Sequence, residues 1–272
     1  MDLSRRFPHF VAKVALLSLL SVALSGVAQA GQALEEKFEK TYAGTGIERL
    51  RLQNVNGAVR VATWERADIR VSAVKRAKGS GAEEALEQTV IRVTKQGSVL
   101  DVETILPKPT RTWGIFNWGS RAGAEVAYEL LLPAGLEVDV ETVNGRVSAE
   151  GRLAPLTLNT VNGSVRVEAH AAPLSVNTVN GSVEVAFAGL LQAVDLETVN
   201  GSVTVSCARE SSFRYDLQTV NGKIRSDFPE VTVEGKWGPK EARGAIADGK
   251  ARLAVETVNG EVRIVALEPA AH

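Results

Sequence analysis

The chain holds one cysteine, three histidines and 5 % aromatic residues in 272 positions. A single cysteine excludes a disulfide framework within one chain and any zinc site built on cysteine. His9, His170 and His272 offer no pair with metal-ligand spacing, and neither a Gly-x-Ser-x-Gly elbow nor a glycine-aspartate calcium nonapeptide occurs. No metal and no cofactor is therefore expected. An excess of positive charge is missing too: 31 Lys and Arg face 32 Asp and Glu. Nucleic acid is excluded as a partner on that ground, because phosphate backbones need a basic footprint. What remains is a chain with 44 % apolar residues, ample for a core of Val, Leu and Ala in one large domain or two small ones.

Residues 1–30 read as a secretory signal. Arg5, Arg6 and Lys13 supply the positive start, Val14 to Val27 the apolar stretch, and Ala28-Gln29-Ala30 a small-x-small cleavage site. That stretch is too short and too rich in Ser and Gly for a membrane span, and no later run is long enough for one. The expected location is the periplasm or the cell surface, with a mildly acidic mature chain.

A repeat dominates the rest of the chain. Val-Asn-Gly occurs seven times, with its Asn-Gly pairs at Asn56-Gly57, Asn144-Gly145, Asn162-Gly163, Asn180-Gly181, Asn200-Gly201, Asn221-Gly222 and Asn259-Gly260. From Asn144 onward the intervals are 18, 18, 20, 21 and 38 residues, so one turn lost its motif or gained an insert between Asp227 and Arg252. Val138, Leu156, Leu174, Val194, Tyr215 and Leu253 form one apolar column. Val140, Leu158, Val176, Leu196, Leu217 and Val255 form a second, two positions on, and Val147, Val165, Val183, Val203, Ile224 and Val262 a third beyond the glycines. Period two on both sides of a turn means strand, corner, strand.

Asn-Gly is also the strongest hairpin signal, which would give antiparallel meanders. Repetition residue for residue every 18–21 positions favours instead a β-solenoid, in which identical positions stack coil upon coil. Length changes fall after the second strand, at Ala186–Ala193 and Ser206–Arg214, as one variable edge requires. The fourteen Asn and Gly residues are accordingly structural corners, with Gly taking positive φ and Asn side chains bonding up the column. The six threonines from Thr142 to Thr257 that precede Val-Asn-Gly can bond along the stack through their hydroxyls. At about 20 residues per coil and ~4.8 Å per coil, about 12 coils would make a rod of roughly 55–60 Å.

Three parts result: the leader 1–30, an irregular N-terminal β part 31–137 of the solenoid or its cap, and regular coils over 138–267 with an insert at 227–252. Within 31–137, Leu50–Val61 carries the first motif copy, Ile69–Lys75, Thr89–Thr94, Ser98–Ile105 and Glu125–Leu132 read as strands, and Ala82–Gln88 has helix-forming residues. The last strand stops near Ala266, where Glu268-Pro269 would blunt the final edge. Trp113, Phe116 and Trp118 lie in a Gly/Pro-rich segment at 107–121, and Trp237 lies in 235–244. Loop aromatics in an aromatic-poor chain are candidate contacts for a sugar ring or a partner protein, or rings that cap the open end.

The leader, Asn54-Val55-Asn56-Gly57-Ala58-Val59-Arg60-Val61, a strand ending Leu131-Leu132-Pro133-Ala134-Gly135, and successive Thr-Val-Asn-Gly-Ser-Val units together resemble the bacterial putative-adhesin domain family. The group consists of exported β-strand-repeat proteins, similar to the head domain of putative autotransporter adhesins, and the resemblance covers 45–266. It implies an all-β, right-handed parallel β-helix in the cell envelope, and no catalytic residues. No translocator barrel is evident, so self-display is not expected.

One enzymatic alternative comes from stacking. With neighbouring coils about 4.8 Å apart, Asp195 would lie beside Asp216 in the adjacent coil, with Glu197 outward on the same strand, a spacing that suits a retaining polysaccharide-cleaving site. The same columns also hold Thr157, Ser175, Asn159 and Asn177, as an ordinary polar face would, and Arg166 and Glu184 read as charge complementarity across the ladder. Cys207 reads as a small buried hydrophobe. The reading that results is a non-enzymatic envelope module that binds a glycan, envelope polymer or protein partner. The alternatives are a polysaccharide-active enzyme and an envelope-stress sensor acting through a partner.

Overall fold

The computed structural model describes residues 33–107, 123–152, 155–169, 173–187, 189–235 and 238–268. The expected leader lies outside them, as do Trp113, Phe116, Trp118, Trp237, His170 and His272. The N-terminal part consists of β1 (Leu34–Ala43), β2 (Arg49–Gln53), β3 (Val59–Trp64), β4 (Asp68–Ala77), α1 (Ala82–Gln88), β5 (Val90–Gln96), β6 (Val99–Ile105) and β7 (Glu125–Pro133). Four coils come next as β8 (Glu137–Asn144) and β9 (Val147–Gly151), β10 (Leu156–Asn162) and β11 (Val165–Ala169), β12 (Leu174–Asn180) and β13 (Val183–Phe187), then β14 (Val194–Asn200) and β15 (Val203–Ala208). The chain ends through β16 (Phe213–Thr219), β17 (Ile224–Ser226), β18 (Lys240–Ile246), β19 (Ala251–Asn259) and β20 (Val262–Leu267).

The fold is all-β and solenoid-like. Strands joined by Asn-Gly do not pair with each other; each pairs in parallel with the equivalent strand of a neighbouring coil, as Leu156 with Leu174 and Val165 with Val183. Two ten-stranded sheets result, one in the order β1-β4-β7-β3-β9-β11-β13-β15-β20-β17, the other β18-β16-β19-β14-β12-β10-β8-β2-β6-β5. Among the described residues eight rungs stack, each with one strand per sheet, rather than the 12 coils expected from length. The difference went into β1, β4, β5 and β18, which fold back antiparallel at the two ends. Alternation sends one residue in two inward, and these side chains, among them Leu158, Val176, Leu196, Val167 and Val185, form one nearly solvent-free cluster.

Rung order departs from chain order at both ends. The coil β2/β3 lies between β6/β7 and β8/β9. At the other end β19/β20 lies between β14/β15 and β16/β17. The 38-residue interval between Asn221 and Asn259 is thus neither a lost motif nor a simple insert. The chain passes over one rung to build β16/β17, turns back through β18, and fills the space it left. The last strand in sequence, β20, is consequently not a sheet edge for Glu268 to blunt, and Pro269 lies outside the described residues. The true edges are the three-residue β17 and the charge-bearing β1, β5 and β18, which resist pairing with other chains.

Cys207 extends the inward column of β15 and is fully buried, as a small hydrophobe would be. Burial pushes its thiol up from 9.0 to about 11, against a smaller pull from the Ser211 hydroxyl. Burial likewise lifts the phenols of Tyr42 and Tyr128 from 10.0 to about 12; Tyr128 shares a 2.6 Å hydrogen bond with Thr104. Folded-state values above the unfolded ones mean that the stability from keeping these groups neutral is complete below about pH 9 and lost as pH rises toward about 12. Urea-unfolding midpoints should therefore hold up to about pH 9 and fall beyond it, with Cys207→Ala delaying the onset to about pH 10. A flat profile to about pH 11 would contradict the burial of all three.

Candidate functional site

The repeated corner is the most regular exposed surface of the molecule. On β8, β10, β12 and β14 the inward threonine is followed by two consecutive exposed residues, valine then asparagine, because the chain bends there from one sheet to the other. Val143, Val161, Val179, Val199 and Val220 are each 39–42 % exposed, with Val143 to Val199 on four successive rungs, while Val55 and Val258 are half-buried.

All seven asparagines join in one ladder. The Nδ2 of Asn144 donates to Oδ1 of Asn56 at 2.7 Å, Asn162 to Asn144, Asn180 to Asn162 and Asn200 to Asn180 each at 2.9 Å, Asn259 to Asn200 at 2.7 Å, and Asn221 to Asn259 at 2.9 Å. Every link runs the same way, so the amides polarise one another along the stack. Each asparagine inside the ladder spends one N–H and one lone pair on its neighbours and keeps one of each for an outside partner.

Glycine is needed here chiefly for space. Only Gly57 and Gly145 among the seven take positive φ, at 121° and 157°. At Gly163, Gly181, Gly201, Gly222 and Gly260 a Cβ would run into the carbonyl oxygen of the glycine one rung away. Beneath that backbone file, from Thr178 onward, the threonine hydroxyls donate across rungs to glycine carbonyls rather than to one another: Thr178 to Gly163 at 3.4 Å, Thr198 to Gly181 at 3.2 Å, Thr257 to Gly201 at 3.1 Å and Thr219 to Gly260 at 3.0 Å, whereas the hydroxyls of Thr142 and Thr160 have no partner among the described residues. The corner is thus tied from outside by amides, through its middle by backbone and from inside by hydroxyls.

Asn54 was not singled out by its sequence context. It takes the threonine place in the first copy and is buried; its Nδ2 donates to the carbonyl of Val126 at 2.9 Å and to Gly57 at 3.3 Å. The rung beyond, β6/β7, has no Asn-Gly, and the longer amide reaches its backbone where a threonine would fall short. Its departure from the Thr-Val-Asn-Gly consensus was the available signal. An open cavity of about 460 Å³ adjoins this head of the ladder, lined by Asn56, Asn144, Gly123, Glu125 and Arg146 among others. In sequence, Trp113, Phe116 and Trp118 fall between β6 and β7, outside the described residues.

The carboxylate pair expected on the opposite sheet does not form. Asp195 stands beside Ala254, and Ala254 beside Asp216, so the intercalated β19 separates the two acids by a full strand. Asp216 is held by Arg243 Nε at 3.2 Å and Gln218 Nε2 at 3.0 Å. Glu197 stands beside Glu256 instead. Charge complementarity across the other sheet is present, with Arg166 on Glu184 at 2.8 Å. Among the described residues no group of three or more His, Cys, Asp or Glu is placed to hold a metal, and no helix is long and apolar enough to cross a membrane.

The sequence profile of the Toastrack DUF4097 family matches residues 43–265. None of the curated proteins compared matches the chain. Among solved structures it is similar to a putative cell adhesion protein from Clostridium sporogenes, with 12 % identity, a TM-score of 0.47, and coverage of 86 % of this chain and 100 % of that one. A putative adhesin from Bacteroides fragilis is 11 % identical with a TM-score of 0.35, over 84 % and 97 % of the two chains. A putative lipid binding protein from Parabacteroides distasonis is 12 % identical with a TM-score of 0.33, over 87 % and 99 %.

Proposed function

This chain belongs to the Toastrack DUF4097 family, and from that premise we propose an exported envelope protein that binds or scaffolds through its repeated corner and catalyses nothing. In this reading the leader is removed after Ala30, and the mature chain is a right-handed parallel β-helix with coils of 18–21 residues. The observation that carries it is the Val-Asn file: seven amides in one ladder beside five exposed valines, with unspent hydrogen-bonding capacity at each step inside the ladder. Such a surface is preorganised, because neither the backbone nor the amides must reorder on contact. It presents alternating apolar and amide character, which suits the faces and hydroxyl or acetamido groups of an envelope glycan. Trp113, Phe116, Trp118 and Trp237 are further contacts in this reading.

The purified chain should sediment with peptidoglycan or another insoluble envelope polymer. Val161→Ser, Val179→Ser and Val199→Ser combined should lower the bound fraction at least about fivefold while leaving the circular-dichroism spectrum unchanged. Trp113→Ala with Trp118→Ala reports separately on the aromatic contacts. Retention of no polymer in any panel, with a single envelope protein captured instead, would replace glycan binding by scaffolding or sensing through that partner. Release of soluble sugar from any polymer would overturn the non-enzymatic reading.

A further inference from the structure

The far end of the stack carries a second surface, unrelated to the corner. A groove of about 820 Å³ opens at the variable edge, between the turn at Leu190 and the turn that joins β18 to β19. Arg214 on β16 and Arg252 on β19 are register partners, exposed on the same outer face, with Lys250 two residues before Arg252. This protein sets several ladder arginines against a carboxylate, as at Arg49–Glu137, Arg51–Asp139 and Arg60–Glu150, and where Arg225 stands beside Arg263, Glu261 lies 3.6 Å from Arg225. Here it places two guanidinium groups abreast, an unfavourable pairing in an empty ladder. Among the described residues neither has an ion-pair or hydrogen-bond partner, and the positions beside them are Ala245 and, one strand beyond Arg252, Ala193.

The carboxylates of the groove do not cancel the pair. Asp216 is occupied by Arg243, and Glu210 makes no ion pair among the described residues, leaving Arg214, Arg252 and Lys250 against one acid. Lys250 has only a 3.8 Å contact with Asp248, in which both side chains are largely exposed. The surrounding backbone restrains Arg214. Ala247, in the turn before β19, is the sole non-glycine residue with positive φ among those described, at 51°. Two residues on, Gly249 at φ 62° lies so near Arg214 that a Cβ would meet its Cγ at 2.8 Å and its Nε at 3.2 Å. A strained turn closed over an arginine stem restricts the guanidinium and lowers the ordering cost of meeting an anion.

We propose that this groove binds a phosphate ester, with Arg214 and Arg252 donating to its oxygens, Lys250 adding charge, and the body of the ligand lying against Leu190, which is 55 % exposed. The phosphate can belong to a free sugar phosphate or to a lipid headgroup. Thermal midpoints in millimolar glucose 6-phosphate, and co-flotation with phosphatidylcholine vesicles that do or do not contain phosphatidic acid, distinguish the two sources. Binding in either arm supports the site. Arg214→Gln, Arg252→Gln and Lys250→Gln should each weaken binding, about tenfold for the arginines. Without ligand, either arginine variant should melt no lower than the parent, since it removes like-charge repulsion. The proposal is overturned if neither probe binds, if sodium chloride at equal ionic strength raises the midpoint equally, or if folded Arg214→Gln and Arg252→Gln bind as well as the parent. These probes do not touch the corner, so failure here leaves the proposed glycan surface standing, and the reverse also holds.

Discussion

Gly181→Ala should lower the melting midpoint by about 10 °C or prevent folding outright. The added methyl meets the carbonyl oxygen and carbon of Gly163 and the amide nitrogen of Ser164, all main-chain atoms of the adjacent rung. No side chain can swing aside. The rungs must part locally, loosening the Gly163 N–H bond to the Asn180 carbonyl, the Thr178 bond to the Gly163 carbonyl and the amide link of Asn180 to Asn162. Overpacking of this kind costs about 3 kcal/mol or more, which for a domain of this size corresponds to the shift above. Gly189→Ala is the matched control: a Cβ there meets nothing within 4 Å, and the midpoint should move by no more than about 2 °C. Equal melting of the two variants would show that the corner is not packed backbone to backbone.

Ending the chain after Lys250 should remove more than the rung it deletes. The missing segment contributes the inward side chains Leu253, Val255, Val262 and Ile264, each at most 2 % exposed. At about 1.5–3 kcal/mol apiece their burial is worth up to about 6–12 kcal/mol, comparable with the net stability of a whole domain. If coils kept chain order, this loss would fray one end. Because β19/β20 lies one rung inside, β16, β17 and β18 are stranded as well. Trypsin should then cut the truncated chain at Arg214 and Arg225 at least about ten times faster than the full chain, with a matching loss of sheet dichroism. Unchanged protection would mean that β16/β17 moves inward to pair directly with β14/β15.

The inward columns were legible because period two leaves no ambiguity: Val138 and Val140, or Val165 and Val167, can only share a face. The stretch Ala82–Gln88 showed its helix through composition, and the structure has that helix with Ala82 and Leu86 inward. Rung order was not legible, since Val194 fits beside Leu253 as well as beside Tyr215. What separates the candidates is bulk. Phe213 packs edge-to-face on Phe228 with ring centroids 5.5 Å apart, and the Tyr215 hydroxyl donates to the Glu230 carbonyl at 3.0 Å. Those partners come from a segment that covers the stack's end, so β16 closes the solenoid rather than continuing it. The facing of Val143 and its equivalents was hidden for the opposite reason, because periodicity stops where the chain bends. Asn-Gly pointed to a corner but not to its physical cause, since positive φ and lack of room select the same residue.

The intercalated rung has a kinetic consequence. A solenoid whose coils keep chain order can fold progressively as it emerges, each turn docking on the last. Here residues 213–226 are made before their inner neighbour, and the space beside β14 and β15 stays vacant until residues 251–267 arrive. Folding therefore ends with a late, long-range closure in the interior of both sheets, the kind of step that slows assembly. The same geometry acts in reverse under load. A pull on β20 does not peel an outer turn but must part it from β15 and, over Val262–Ile264, from β17 as well, so the segment nearest the end of the sequence is anchored inside the stack.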